Sequence, residues 1–123
     1  ERVLRACAHD MAINPYAYSS YLIALDFFLH KPKEIIMALP ERASAQQFNR
    51  IIFNFFQPSK VVFQLTPGQH SPLFSSDLFK NKIPLDGKPT IYICHNNTCS
   101  RPVCTAEELK QLLLSGREVF LKQ

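Results

Sequence analysis

Residues 35–65, IIMALPERASAQQFNRIIFNFFQPSKVVFQL, decide the fold of this chain. The run Ile35–Leu39 is apolar at every position, as expected of a strand that is buried on both faces of a sheet. Val61–Leu65 (VVFQL) is predicted to be a second strand. Between them, Ser44 can cap a helix that reaches Phe56 and places its apolar side chains on one face. Strand, helix and strand in this order predict a parallel βαβ unit with a right-handed crossover.

The sequence after this unit predicts one more strand and one more helix. Thr90–Cys94 (TIYIC) is the third strand. The connection over residues 66–89 is irregular, with a short helix expected at Pro72–Phe79. Thr105 and Glu108 have the spacing of a capping box, which opens a final helix that we expect to end at Ser115–Gly116. The predicted fold is α/β, with a small, mostly parallel sheet of at least three strands in a β-α-β-x-β-α order.

The sequence before the unit predicts two helices. Residues 2–12 carry one apolar stripe, and Asn14-Pro15 breaks the pattern. The second helix, from Tyr16 or Ser19 to His30, is apolar on nearly every face and needs neighbours all round. We expect residues 1–31 and 32–123 to be separate domains, helical and α/β. The start without Met and the apolar helix suggest a fragment of a longer chain, which self-associates through residues 16–30.

Composition excludes several classes of protein. Of the 123 residues, 46% are hydrophobic and 20% are charged, which is typical of a folded chain. The net charge of +4 comes without a basic block, so we expect no nucleic-acid partner. The longest apolar stretch, Tyr21–Leu29, is too short to span a bilayer, and the first residues do not form a signal peptide. We expect a soluble, cytoplasmic protein with no membrane partner.

The cysteine-bearing loop at residues 94–104, CHNNTCSRPVC, is the densest candidate site. It follows a strand and precedes a helix, where ligands often bind and thiol pKa values fall. A phosphatase-like loop needs an arginine six residues after the cysteine, but Arg101 is the seventh residue after Cys94. No C-x-x-C pair of the thioredoxin type is present. Reduced thiols are the default expectation, and a disulfide between Cys94 and Cys99 is compatible with a tight loop.

Zinc is a poor match to the same loop. Its three cysteines and His95 form a single run, whereas structural zinc sites take two close pairs from separate parts of the chain. We expect no metal and no cofactor. In the interpretation that we favour, Asn96 and Thr98 hold a tight turn and Pro102 fixes the approach to the helix. A thiol-redox or metal site at Cys94 and Cys99 remains the alternative.

The other candidates for chemistry are weak, and no residue is assigned as catalytic. Asp26 and His30 lie one helical turn apart and form either an acid/base pair or a helix-end contact, of which the contact is the commoner case. His95 and Arg101 are weak candidates because they lie in the cysteine loop.

The loop also carries a family resemblance. The pattern C-x-N-x-T-C-x-x-P-V at residues 94–103, preceded by Ile91-Tyr92-Ile93, resembles the C-terminal end of the YyaL-type thioredoxin-domain-containing proteins. That family is related to the spermatogenesis-associated proteins of animals. Ala24-Leu25-Asp26-Phe27 and Pro32-Lys33-Glu34-Ile35-Ile36 are similar to the family's join between its last toroid helix and the next strand. The resemblance covers about residues 16–114.

The resemblance implies a parent with a thioredoxin-like domain, an (α/α)6 toroid and this terminal piece. Residues 1–31 would be the end of the toroid, and its helices would be the partner of this module. The chain would then be a structural, accessory module. Alternatively, it would form part of a sugar-modifying enzyme of the epimerase or glycosidase kind. The chain departs from the family at Leu39-Pro40, where the family tends to have glycine, and at Cys104, which is outside the motif.

Overall fold

The computed structural model describes residues 1–68, 77–96 and 98–119. The chain divides into two compact units, Glu1–Pro32 and Lys33–Gln123. Unit 1 is helical and unit 2 contains the sheet.

Unit 1 consists of three helices: α1 (Arg2–Ala6), α2 (Ala8–Ile13) and α3 (Ser19–His30). The single helix predicted over residues 2–12 is divided at Cys7, whose φ of −93° and ψ of 3° leave the helical region. The second predicted helix is present as α3. Met11 is the one buried hydrophobic residue of unit 1, all of which the structure describes.

Unit 2 is built on a four-stranded sheet in the order β2-β1-β3-β4. Its strands are β1 (Lys33–Ala38), β2 (Lys60–Leu65), β3 (Thr90–His95) and β4 (Thr98–Cys99). β1 and β2 are parallel and are joined by α4 (Gln46–Asn54), which confirms the βαβ unit and the α/β class.

The sheet is mixed, because β3 runs antiparallel to β1 and β4 runs antiparallel to β3. A parallel β3 needs a connection that crosses back to the starting end of β1. Instead, residues 66–89 bring the chain back into the sheet at the end where β1 and β2 finish. The predicted helix at Pro72–Phe79 lies mostly outside the described residues.

The two faces of the sheet are covered differently. One face packs against α4 and α5 (Ala106–Val119), with a core made by Ile35, Met37, Leu39, Phe48, Ile52, Ile91, Ile93, Val103, Leu109 and Leu113. The other face has a smaller core of Ile36, Ala38, Tyr92 and Cys94, against which Phe63, Leu65, Leu78 and Phe79 pack. Residues 35–38 of β1 are buried on both faces, which explains the unbroken apolar run Ile35–Leu39.

The predicted cap at Ser44 is wrong by one residue, because the N-cap of α4 is Ala45, which has no capping side chain. Ser44 Oγ instead accepts a hydrogen bond from the backbone N–H of Gln46 at 3.2 Å, just before the helix. At the other end, Lys60 Nζ donates to the carbonyl oxygens of Ile52 and Phe55, at 2.8 and 3.0 Å. Burial lowers the pKa of Lys60.

The predicted end of α5 at Ser115–Gly116 is wrong, because the helix continues to Val119. A glycine inside a helix costs only about 1 kcal/mol relative to alanine, which is too little to end a helix that is packed on a core. Residues 117–119 therefore belong to the helix, and residues 120–123 lie outside the described part.

Candidate functional site

The cysteine loop folds as a tight hairpin between β3 and β4. His95 pairs with Thr98, and Cys94 pairs with Cys99, and Asn96 begins the turn between the strands. Asn96 has a φ of 50°, in the left-handed region that asparagine adopts more easily than most residues. An asparagine at this position is typical of two-residue hairpin turns, and it allows the turn to form without glycine.

Beyond Cys99 the chain stays beside β3 but acquires one extra residue. Ser100 N donates to Ile93 O at 2.8 Å, and Val103 exchanges two hydrogen bonds with Ile91, at 2.8 and 3.0 Å. Arg101 and Pro102 therefore lie opposite a single residue of β3, as in a β-bulge. Proline has no N–H to contribute to a ladder, so a bulge on an edge is a compatible place for it.

Cys94 and Cys99 form a disulfide, with an S–S distance of 2.07 Å and a Cα–Cα distance of 3.9 Å. The default expectation of reduced thiols is wrong for this pair, whereas Cys7 and Cys104 are free. The register accounts for the bond, since the two residues are directly opposite at a position without ladder hydrogen bonds, where side chains are closest. Cys94 is fully buried and Cys99 is exposed.

A cavity of about 430 Å³ adjoins the disulfide. It is lined by Cys94, Cys99, Glu34, Asp77, Leu78 and Lys82. Glu34 comes from β1, where it is the register partner of Cys94. Lys82 Nζ lies 4.9 Å from the centre of the Tyr92 ring, within the range of a cation–π contact. The sequence alone does not reveal that the three charged residues belong to this site, because only the strand pairing and the returning connection bring them to the cysteines.

The two weak candidates in the loop do not join this cavity. His95 follows Cys94 in β3, so its side chain points to the opposite face of the sheet. Arg101 is exposed, and it contributes to a different site by helping to lower the pKa of Glu108. Neither residue therefore joins the two cysteines, Glu34 and Lys82 at the cavity.

The capping box at the start of α5 is confirmed. Glu108 N donates to Thr105 Oγ1 at 3.2 Å, and Glu108 Oε2 accepts from the backbone N–H groups of Thr105 and Cys104, at 3.1 and 3.2 Å. The hydrogen bond from Cys104, followed by that from the Thr105 hydroxyl, lowers the pKa of Glu108. The carboxylate thus occupies the helix N-terminus itself.

The structure offers no cluster for a metal ion within residues 1–68, 77–96 and 98–119: no three His, Cys, Asp or Glu side chains there are placed to hold one. The prediction that the loop binds no metal remains a prediction.

The candidate pair in unit 1 is in contact. His30 Nδ1 and Asp26 Oδ1 lie 2.9 Å apart on α3. Both side chains are more than half exposed, so the contact is one between neighbouring turns at a helix surface. Exposed pairs of this kind contribute about 0–1 kcal/mol.

Apolar side chains are exposed along α3. Tyr21, Leu22, Phe28 and Leu29 share one side of the helix, and Ile23 lies next to them. The exposed fractions of Ile23, Phe28 and Leu29 are 67%, 51% and 61%. This apolar surface of unit 1, called here the α3 surface, is the second candidate site of the molecule.

Comparisons with known proteins give no assignment. No protein-family model, no curated protein and no solved structure matches the chain. Among the helices of the described residues, none combines the length and the apolar character needed to cross a bilayer.

Proposed function

We propose that the chain is an accessory module that docks through the α3 surface onto a larger all-α protein body in the cytoplasm. The observation that carries this proposal is the exposure of the apolar side chains of α3. The resemblance to the YyaL-type proteins supplies the candidate body, which is the toroid of the parent protein.

The α3 surface has the character of a helix that packs among other helices. A helix that faces water normally has a polar side, but α3 exposes apolar residues on the side that holds Leu22 and Leu29 and also at Ile23. Contiguous exposed apolar surface usually marks an interaction site. The side-chain ridges of one helix fit the grooves of another, so a helical partner can cover this surface.

Unit 2 supplies the part of the module that has an extensive core of its own. Its sheet is covered on both faces and α5 has a complete N-terminal cap. In this proposal unit 2 is the accessory domain and unit 1 is the attachment. The exposed Asp26–His30 contact plays no catalytic part.

The test is docking in trans. The rest of the parent polypeptide would be produced separately and mixed with this chain, and complex formation would be measured by analytical ultracentrifugation. We expect the Leu22→Lys/Leu29→Lys variant to lose the complex. The matched control is Phe56→Lys, which alters an apolar side chain of unit 2 that is 81% exposed and should leave binding intact.

Self-association is the competing outcome. If the chain forms dimers that the Leu22→Lys/Leu29→Lys variant abolishes, and does not bind the parent polypeptide, the α3 surface is a homodimer interface and the docking proposal is wrong. A monomeric chain that binds neither the parent polypeptide nor a hydrophobic dye would also contradict it.

A further inference from the structure

We propose that Cys94 and Cys99 are a reversible disulfide–dithiol pair, which exchanges with an external dithiol through Cys99. Three features carry the inference: the unequal exposure of the two cysteines, the edge position of β4 and the fixed register of the hairpin. The proposal is independent of the docking function of unit 1.

The two cysteines differ in their access to solvent. Thiol–disulfide exchange begins when a thiolate attacks one sulfur of the bond, so that sulfur must be reachable. Cys94 is fully buried in the core that also contains Tyr92, whereas Cys99 is exposed. Cys99 is therefore the sulfur that an external thiolate can reach while the protein is folded.

The sheet topology also favours attack at Cys99 rather than at Cys94. The attacking sulfur approaches along the S–S axis, on the side away from the leaving sulfur. β4 is an edge strand, and no further strand lies beyond Cys99 in the described residues. The corresponding path to Cys94 leads over β1, where its register partner Glu34 lies. The Glu34 carboxylate repels a thiolate that approaches from that side.

The exchange balances with a dithiol donor. One donor thiolate attacks Cys99 Sγ, a mixed disulfide forms, and the Cys94–Cys99 bond breaks with Cys94 leaving as a thiolate. The second donor thiolate then attacks the donor sulfur of the mixed disulfide and releases Cys99 as a thiolate. The donor becomes a disulfide, and its two protons end on Cys94 and Cys99. Two electrons pass from the donor to the protein.

The hairpin allows the reverse reaction. The hydrogen bond from Ser100 N to Ile93 O, and the pairing of His95 with Thr98, do not involve the sulfur atoms. These backbone contacts hold the two cysteines opposite each other in addition to the S–S bond. The thiols stay adjacent after reduction, and a disulfide oxidant restores the bond through Cys99.

The first experiment measures native reduction of the full chain. Dithiothreitol would be added with and without denaturant, and samples would be alkylated with iodoacetamide and mapped by mass spectrometry. We expect the native rate to lie within about tenfold of the rate in denaturant, because exchange at Cys99 needs only local access. If the bond were reached only by global unfolding, native reduction would be roughly a thousandfold slower or more. That result would overturn the proposal.

The second experiment tests which sulfur reacts. Cys94→Ala and Cys99→Ala would each be made in a chain that also carries Cys7→Ser and Cys104→Ser, with glutathione disulfide as the probe. We expect a mixed disulfide on Cys99 in the first variant and its loss in the second. Equal labelling of the two variants, or labelling of Cys94 alone, would contradict the proposal.

A variant-free measurement covers the case in which Cys94→Ala fails to fold. The unmutated chain would be reduced and treated with iodoacetamide under native conditions. We expect Cys99 to be alkylated before Cys94. Alkylation of both at the same rate would show that the burial of Cys94 does not direct the exchange.

Discussion

Unit 1 is richer in apolar residues than unit 2, but it buries far fewer of them. Unit 2 has a core on each face of its sheet, a disulfide at one edge and a capped closing helix. Unit 1, which the structure describes throughout, buries a single hydrophobic side chain, and none of its helices has a side-chain cap. The difference teaches that apolar content alone does not make a core, because the sheet supplies two surfaces on which helices and loops can pack.

The largest expected effect concerns the core of unit 2. Phe48→Ala empties a fully buried site between α4 and the sheet and should lower the free energy of unfolding by about 3–5 kcal/mol. Phe53→Ala, on the same helix but 63% exposed, is the matched control and should lower it by at most about 1 kcal/mol, because the cation–π contact of its exposed ring with Lys60 Nζ, at 5.4 Å, contributes no more than that. Chemical denaturation measures both. Equal losses of unfolding free energy in the two variants would contradict the distinction between buried and exposed apolar residues.

The hairpin disulfide should have the next largest effect. Reduction of Cys94–Cys99 should lower the free energy of unfolding by about 2 kcal/mol, since the bond closes a loop between residues only five positions apart. Denaturant midpoints with and without dithiothreitol measure the change, and a chain with Cys94→Ala and Cys99→Ala should be insensitive to the reductant. An unchanged denaturant midpoint after reduction would show that the disulfide does not stabilise unit 2.

The cap of α5 should contribute less. Thr105→Ala removes the hydroxyl that accepts a hydrogen bond from Glu108 N and should cost about 1 kcal/mol. Ser115→Ala is the control, because Ser115 Oγ only bonds back to Leu112 O within the same helix. That control should stay within about 0.5 kcal/mol of the parent chain. Thermal denaturation that ranks the two variants in the opposite order would contradict the capping box.

The smallest effect is the pH dependence of that cap. The folded pKa of Glu108 lies below its usual value of 4.5, so its stabilising contribution is present above that pH. The contribution is lost as the pH falls through the folded pKa. Glu108→Gln should therefore lower the free energy of unfolding most above pH 4.5. The difference between the variant and the unmutated chain should shrink at lower pH. Glu107→Gln, which removes a charge from the same turn without touching the cap, is the control.

Local sequence was sufficient wherever a structure depends on neighbouring residues. The apolar run at Ile35–Leu39 predicted a strand covered on both faces, and the stripe containing Phe48 and Ile52 predicted the helix that covers one of them. The spacing of Thr105 and Glu108 predicted a cap whose hydrogen bonds are all local. In each case the free energy that selects the structure comes from residues within a few positions or from simple burial.

Tertiary structure decided the features that depend on where distant segments meet. The connection over residues 66–89 is long enough for either strand direction, so its sequence did not reveal that β3 runs antiparallel to β1. The register of β3 and β4 then placed Cys94 directly opposite Cys99, and the strand pairing put Glu34 beside them. Likewise, α3 is apolar by sequence, but only the packing of unit 1 left it exposed. Periodicity fixes the type of an element, whereas its neighbours and direction follow from the contacts that bury the most apolar surface.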